Sequence, residues 1–342
     1  MVTPVITRED VAKRAGVSVT AVSRVMNNSG YVKKEKREAI LKAVEEVGYR
    51  RNRAKAPKVK QILFYHKDLS NAYTTEMYRG MIACASQHDY MVVLSGIWNI
   101  EEIMAMRIEG VILPNENALE EYIHYTENKP ISPTVCASYG TSIKYPRHIP
   151  LIEADTYVAM ELSIEYLLSK GHTKIALASP YPAGKKNPRS AAYQNKMLPI
   201  LGEDINQYMF IADDKSDSSR SALFDAEEDY FQYGEYIAKQ ICTKKGDITA
   251  ACCFNDNVAV GMLHYFNRTG VKVPEDISIV GIDGLSIGKY VYPGLTSVSI
   301  SPFQQGFECV RVLLDMITGK KVKGRTKVTV HIIERESVKV SK

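Results

Sequence analysis

Between residues 61 and 283, short apolar runs alternate with longer segments of helical character. "QILFYHKDL" (61–69), "YMVVLSGI" (90–97), "EGVILP" (109–114) and "PTVCASYG" (133–140) read as strands. After residue 150 the alternation resumes with helix "TYVAMELSIEYLLSKGH", strand "KIALASP" and helix "RSAAYQNKMLPIL". "DITAACCFND", "NVAVGMLHYFNRTG" and "DISIVGIDG" follow. Repeated β-α-β units imply parallel sheets with helices on both faces. A chain of 342 residues has room for two or three compact units. Two such sheets in tandem leave a cleft, and ligands of open α/β sheets sit beyond the C-terminal strand ends. There is no Gly-x-Gly-x-x-Gly, no Walker loop and no nucleophile elbow, so a nucleotide-enzyme reading has little support.

The first 50 residues have a different pattern. "TREDVAKRAG" starts on Thr7, with Asp10 three residues on, close to a capping box. Gly16 ends that helix and Val17 anchors a tight turn. Ser18 suits the N-cap of a second helix, "VTAVSRVMNN", whose inner face is Val22, Val25 and Met26. A third helix, "KEKREAILKAVEEVGY", places Ile40, Leu41, Ala43, Val44 and Val47 inward. Two short helices joined by a tight turn, with a third as support, make a helix-turn-helix. The alternative is a generic three-helix mini-domain. Its small-residue turn and the polar start of its second helix favour the former.

Charge agrees. Residues 1–60 hold 15 Lys/Arg against 6 Asp/Glu, while the remainder holds 29 against 33. A basic head on a mildly acidic body points to a polyanionic partner for the head. The six cysteines (84, 136, 242, 252, 253 and 309) show no metal-ligand spacing and read as reduced core residues. "MVTPVITRED" lacks the apolar core of a signal peptide, and no apolar run has the length of a membrane span, so a cytoplasmic location is expected.

"VAKRAGVSVTAVSRVMN" followed by "REAILKAVEEVGYRRNR" resembles the DNA-binding head of the lactose-repressor (LacI/GalR) family nearly residue for residue. The likeness extends through "EADTYVAMELSIEYLLSKGHTKIALAS", "FNDNVAVGML", "GVKVPEDISIVGIDG" and "YPGLTSVSI", covering nearly the whole chain. The resemblance implies an N-terminal all-α helix-turn-helix head plus an α/β body of two doubly wound parallel-sheet subdomains, periplasmic-binding-protein-like. The implied division is a head over 1–49, a hinge over 50–60, and an effector-binding and dimerisation body over 61–342. The body's subdomain boundary is expected near 150–157, with crossovers near 285–305 and 320–328.

Carried over position by position, Val19, Thr20 and Arg24 would face base edges in the major groove of operator DNA. Arg24 can donate two bonds to guanine O6 and N7. Val19 offers only apolar contact, for instance to a thymine methyl. Ser18, Ser23 and Asn27 would hold phosphates, with Tyr49 and Asn52 also near the backbone; Thr7 and Arg53 complete the expected contact set.

In "RRNRAKAPKVK" this chain departs from the family. The family's hinge helix wedges a leucine into the minor groove. Here that place is taken by Lys58, directly after Pro57. Proline opposes a helix interior, so the segment reads as a basic tether in which Lys55, Lys58 and Lys60 track phosphates electrostatically. The segment between Ile97 and Met106 is also short for the family.

For the effector, Arg189, Asn255, Asp256 and Asp283 stand at positions matching the family's ligand contacts. A guanidinium and a carboxylate at opposing strand ends can bracket a ring of hydroxyls through charge-assisted bonds. Asp256 fits better as the N-cap of "NVAVGML". From the first subdomain Tyr65, His66 and Tyr73 are candidates to close over the ligand. Phe224 and Tyr230 are candidate ring-stackers, the alignment being ambiguous between Phe224 and Tyr233. Ile300 stands where the family often has a polar ligand residue.

The expected protein is therefore a homodimeric, ligand-responsive repressor of a carbohydrate-use operon. It is not an enzyme, and it has no cofactor, no metal site and no membrane partner. The alternatives are a solute-binding protein for transport, disfavoured by the basic head, and a cytosolic sugar enzyme with an appended head, for which no catalytic dyad is present.

Overall fold

A computed structural model describes residues 6–27, 29–49, 59–66, 69–96, 108–127, 132–140, 145–181, 187–211, 229–244 and 247–341. The chain separates into two compact units, residues 1–58 and 59–342.

In the first unit, helix α1 (Arg8–Ala15) opens on a complete capping box. The Thr7 N–H donates to the Asp10 carboxylate at 2.7 Å, and the Asp10 N–H donates to Thr7 Oγ1 at 3.4 Å. The Thr7 N–H and the Thr7 hydroxyl, which donates to the same carboxylate at 2.8 Å, hold the Asp10 carboxyl below the usual carboxylate range. Gly16 ends the helix at φ 64°. Helix α2 (Val19–Asn27) starts from Ser18, whose Oγ accepts from the Ala21 N–H at 3.2 Å. Helix α3 (Lys34–Val47) closes the core of Val11, Ala12, Val22, Val25, Ile40, Ala43 and Tyr49. Met26, Val44 and Val47 pack at its margin. Leu41, expected inward, is 49% exposed. It lies one residue, about 100° of helix, round from the buried Ile40, off the stripe that faces α1 and α2. The tether over 50–58, with Asn52, Arg53, Lys55 and Lys58, lies outside the described residues.

The second unit contains two six-stranded sheets. Strands β1 (Lys60–Tyr65), β2 (Tyr90–Ser95), β3 (Ile108–Leu113), β4 (Thr134–Ser138), β5 (Leu151–Glu153) and β11 (Arg325–Lys327) form the first, in the order β11-β5-β4-β3-β1-β2. Strands β6 (Ile175–Ser179), β7 (Met209–Ile211), β8 (Ala250–Cys253), β9 (Ser278–Asp283), β10 (Thr296–Ser299) and β12 (His331–Ile333) form the second, in the order β12-β10-β9-β8-β6-β7. Every pairing is parallel except that of β10 with β12. This is the α/β body that the alternating pattern predicts. The strands read as continuous apolar runs because parallel strands are covered on both faces.

The helices of this unit are α4 (Ala72–Ser86), α5 (Glu116–Tyr125), α6 (Thr156–Ser169), α7 (Pro188–Leu201), α8 (Asp229–Thr243), α9 (Asp256–Thr269) and α10 (Pro302–Ile317). The chain passes between the sheets three times: after β5, after β10, and between β11 and β12. At the edge, buried Glu153 of β5 is paired by Arg325 at 2.8 Å and Lys327 at 3.3 Å, both on β11. Helices α4 and α10 cross at two glycines: a Cβ on Gly80 would lie 1.9 Å from the Phe303 carbonyl oxygen, and one on Gly306 1.8 Å from that of Met77. Five cysteines are buried as expected, but Cys242 is exposed, so it is not a core residue. It sits near the end of α8, whose outer side faces solvent. Residues 97–107, including the shortened segment, and Phe224 lie outside the described residues. No helix among the described residues is long and apolar enough to cross a membrane.

Candidate functional site

The candidate DNA-contacting face of the head is built by α2. Its apolar residues Val22 and Val25 are buried against α1 and α3, which turns Ser18, Val19, Thr20, Arg24 and Asn27 outward, all exposed. Val19 is 42% exposed, a position that packing inside the head does not explain. Ser23 is half-buried; its Oγ accepts from Arg8 Nη1 at 3.3 Å and from Asn27 Nδ2 at 3.2 Å. Arg8 also donates to the Tyr49 hydroxyl at 3.3 Å. The ring of Tyr49, a candidate for the DNA backbone, is a buried part of the head core. Its packing supports α1 and α3, leaving the hydroxyl as its polar end. Arg8, which ties Ser23 and Tyr49 together, carries no signal in sequence because it looks like any surface arginine at a helix start.

In the body the second site gathers where β6, β8, β9 and β10 end. Asp283 is the last residue of β9, buried, with φ 122°. Arg189, in the first turn of α7, donates from Nη2 to Asp283 Oδ1 at 3.4 Å; the two side chains are 12% and 8% exposed. The guanidinium lies over the Phe254 ring, 4.3 Å from its centroid. Its Nε is buried without a hydrogen-bond partner. Arg189 is thus fixed by stacking and by one carboxylate, with a donor still to be satisfied.

Around this pair stands an aromatic wall. Tyr181 follows β6 and packs edge-on to Phe254 at 5.2 Å between centroids. Tyr230 stacks on Phe254 at 5.9 Å, and its hydroxyl lies 2.8 Å from that of Tyr181. Tyr233 packs on Tyr230 at 6.4 Å. From the first sheet, Tyr73 in the first turn of α4 is close enough to Arg189 and Asp283 for both charges to act on its hydroxyl, and burial pushes that hydroxyl well above its usual range. Its ring packs against Tyr139 at 5.5 Å.

The other sequence candidates have different surroundings. His66 Nε2 lies 3.5 Å from Thr74 Oγ1 on α4. Tyr65 is buried in the cluster of Leu63, Val111, Leu119 and Tyr122 on the α5 side of the sheet, where burial and Glu121 push its hydroxyl up to about 12. Asn255, not Asp256, caps α9: its side chain accepts from the Val258 N–H at 2.9 Å. Asp256 was expected as that cap. It is fully buried and turned towards the ends of β9 and β10, accepting from Ser297 Oγ at 2.5 Å and from the Leu285 N–H at 2.6 Å. Burial pushes its carboxyl up to about 7 against the pull of those two bonds. Ile300 is fully buried in the main apolar cluster.

Residues 164–338 match the family described as periplasmic binding protein-like domain, and residues 7–52 match bacterial regulatory proteins, lacI family. The chain belongs to the lacI family of bacterial regulatory proteins. The catabolite control protein A of Priestia megaterium is 26% identical over 353 residues, spanning 98% of this chain and 99% of that one. The structure of the transcriptional regulator CelR–cellobiose complex aligns with TM-score 0.64 at 24% identity, over 97% of this chain and 99% of that one. The lac repressor dimer bound to operator and the anti-inducer ONPF aligns with TM-score 0.64 at 23% identity, over 98% and 100%.

One position of the body carries no signal in the sequence. Gln305 of α10 is fully buried. Its Oε1 accepts from the Tyr73 hydroxyl at 2.6 Å, and its Nε2 donates to the carbonyls of Ser138 (3.0 Å) and Ile152 (2.8 Å). It therefore ties α4 to the ends of β4 and β5, beside two of the crossings. Gln305→Leu keeps the volume but strips all three bonds, which should cost about 1–3 kcal/mol. Chemical denaturation checks this; an unchanged midpoint would mean the three groups find other partners.

Proposed function

We propose that this chain is a homodimeric operator-binding repressor whose affinity for DNA is set by a neutral, hydroxyl-rich effector, a sugar, bound in the body. Its work is done in the cytoplasm, without cofactor or catalysis. The observation that carries the reading is the buried Arg189–Asp283 pair, with the guanidinium over Phe254, its Nε–H unsatisfied and Tyr73 within reach of both charges. A carboxylate that accepts and a guanidinium that donates, held apart from water, suit vicinal hydroxyls, which do both. Aromatic faces beside them suit the apolar faces of a sugar ring. The likeness of fold to the cellobiose complex of the transcriptional regulator CelR supports a sugar.

On DNA, Val19, Thr20 and Arg24 read base edges while Ser18, Ser23 and Asn27 hold phosphates. Thr7, at the capped start of α1, completes the proposed contact set on the DNA backbone. The tether contributes charge through Lys55 and Lys58 rather than an apolar wedge. Dimer symmetry should appear as a palindromic operator.

Arg24→Ala should weaken operator binding by about 1–3 kcal/mol while non-specific binding changes far less. Titration of labelled operator and random duplexes at one salt concentration measures both. Equal losses on the two would assign Arg24 to phosphate and remove it from base reading. A thermal-shift screen of mono- and disaccharides, phosphosugars and purines identifies the effector, because a ligand bound only by the folded state raises its stability. A purine hit without any saccharide hit would overturn the sugar assignment.

A further inference from the structure

The residues that follow Asp283 are held in an arrangement that the effector reading does not use. Asp283 and Gly284 both have positive φ, 122° and 74°. For a non-glycine residue such a backbone is unfavourable and persists only where the surroundings enforce it. The enforcement is visible. The Gly284 N–H donates to Ser297 Oγ at 3.1 Å, Ser297 Oγ donates to Asp256 Oδ1 at 2.5 Å, and the Leu285 N–H donates to Asp256 Oδ2 at 2.6 Å. Two successive backbone donors thus converge, one directly and one through a hydroxyl, on a single buried carboxylate. Successive N–H groups beside positive-φ residues make an anion-binding concavity, and here the anion is a side chain of the protein itself.

The neighbours are fitted around it. A Cβ on Gly281 would lie 2.2 Å from Asp256 Oδ1, so β9 can approach the carboxylate only as glycine. A Cβ on Gly284 would lie 2.5 Å from Cβ of Ser299. Asn255 already caps α9, so the helix start does not need Asp256. Among charged side chains, Arg335 acts on it from the segment after β12, and no direct ion pair is formed with it among the described contacts. The carboxylate's direct partners are therefore the turn and the serine that serves the turn.

We propose that Asp256 is the positioning residue of the effector site: through Leu285, and through Ser297 and Gly284, it holds the β9 turn so that Asp283 faces Arg189. This rests on the reading of Asp283 as an effector residue only for its importance, not for its geometry. Asp256 itself does not touch the effector.

The test needs no effector, so its outcome is separate from that of the sugar assignment. Amide hydrogen exchange is measured by NMR on deuterated, ¹⁵N-labelled full-length protein, together with the ¹³C shift of the Asp283 carboxyl. Asp256→Asn keeps the shape but removes the charge. It should speed exchange at Leu285 and Gly284 by about 10- to 100-fold, shift the Asp283 signal, and leave Val258 in α9 unchanged. Ser297→Ala, which leaves the bond from Leu285 to Asp256 in place, should speed Gly284 much more than Leu285. Should Asp256→Asn fail to fold, the serine variant alone decides. Wild-type exchange at both amides, acceleration shared equally with Val258, or an unmoved Asp283 carboxyl would overturn the assignment. So would equal acceleration of Gly284 and Leu285 in Ser297→Ala.

Discussion

Gly306→Ala should destabilise the body by about 3 kcal/mol or more, because the added methyl has nowhere to go. Its carbon would sit 1.8 Å from the Met77 carbonyl oxygen, a backbone atom that cannot swing aside as a side-chain end would. Helices α4 and α10 must then separate. Their shared contacts include Met77, Met81, Cys84, Cys309 and Val310, each 0–1% exposed. Separation loosens the sheet face on which both helices rest and moves Tyr73 relative to Gln305. Thermal unfolding provides the measurement, with Gly324→Ala as control, since a Cβ at Gly324 meets nothing within 4 Å. For a domain of this size the expected loss corresponds to a Tm lower by about 6–12 °C. A Gly306→Ala protein melting together with Gly324→Ala would show that the helix pair tolerates a wider crossing.

Asp283→Ala should abolish the response to the effector while leaving effector-free operator binding in place. Two hydroxyl bonds to a buried carboxylate are worth about 3–6 kcal/mol together, or roughly 10²- to 10⁴-fold in affinity. Stability should also fall, because the variant leaves the Arg189 guanidinium, 12% exposed, without its carboxylate. Asp283→Asn separates the two effects: it keeps an acceptor for Arg189 and tolerates the positive φ better than most residues. Calorimetry with the saccharide found by thermal shift checks the affinity. Unchanged affinity in both variants would remove Asp283 from the ligand site. Loss in the alanine variant alone would reduce its role to steadying Arg189.

Much of the head is legible in sequence because its determinants are local. The capping box of Thr7 and Asp10, the αL glycine at 16, the Ser18 cap and the buried stripe of Val22 and Val25 all act within a few residues. Leu41 shows the limit: next to the core stripe, one residue of helical rotation decides between burial and solvent. The same one-residue margin exchanged the roles of Asn255 and Asp256. Both are good N-caps by type, and only the approach of Ser297 on β10 and of Leu285 in the turn after β9 selects which side chain caps and which is drawn inward.

The kind of fold and the candidate pair Arg189 and Asp283 are legible in the residues alone. The period of its apolar runs dictates parallel sheets, with Asp283 at the end of β9 and Arg189 in the first turn of α7. Tertiary structure alone decided the rest of the site. The platform of Phe254, the wall of Tyr181 and Tyr230, the tie of Gln305 and the anchor of Asp256 join residues 29 to 232 positions apart in the pairs of Asp256 with Leu285 and Tyr73 with Gln305. No local preference distinguishes such residues from ordinary core or surface. Their roles arise because strand order brings non-consecutive segments side by side, where a buried polar group must find a partner whatever its distance along the chain.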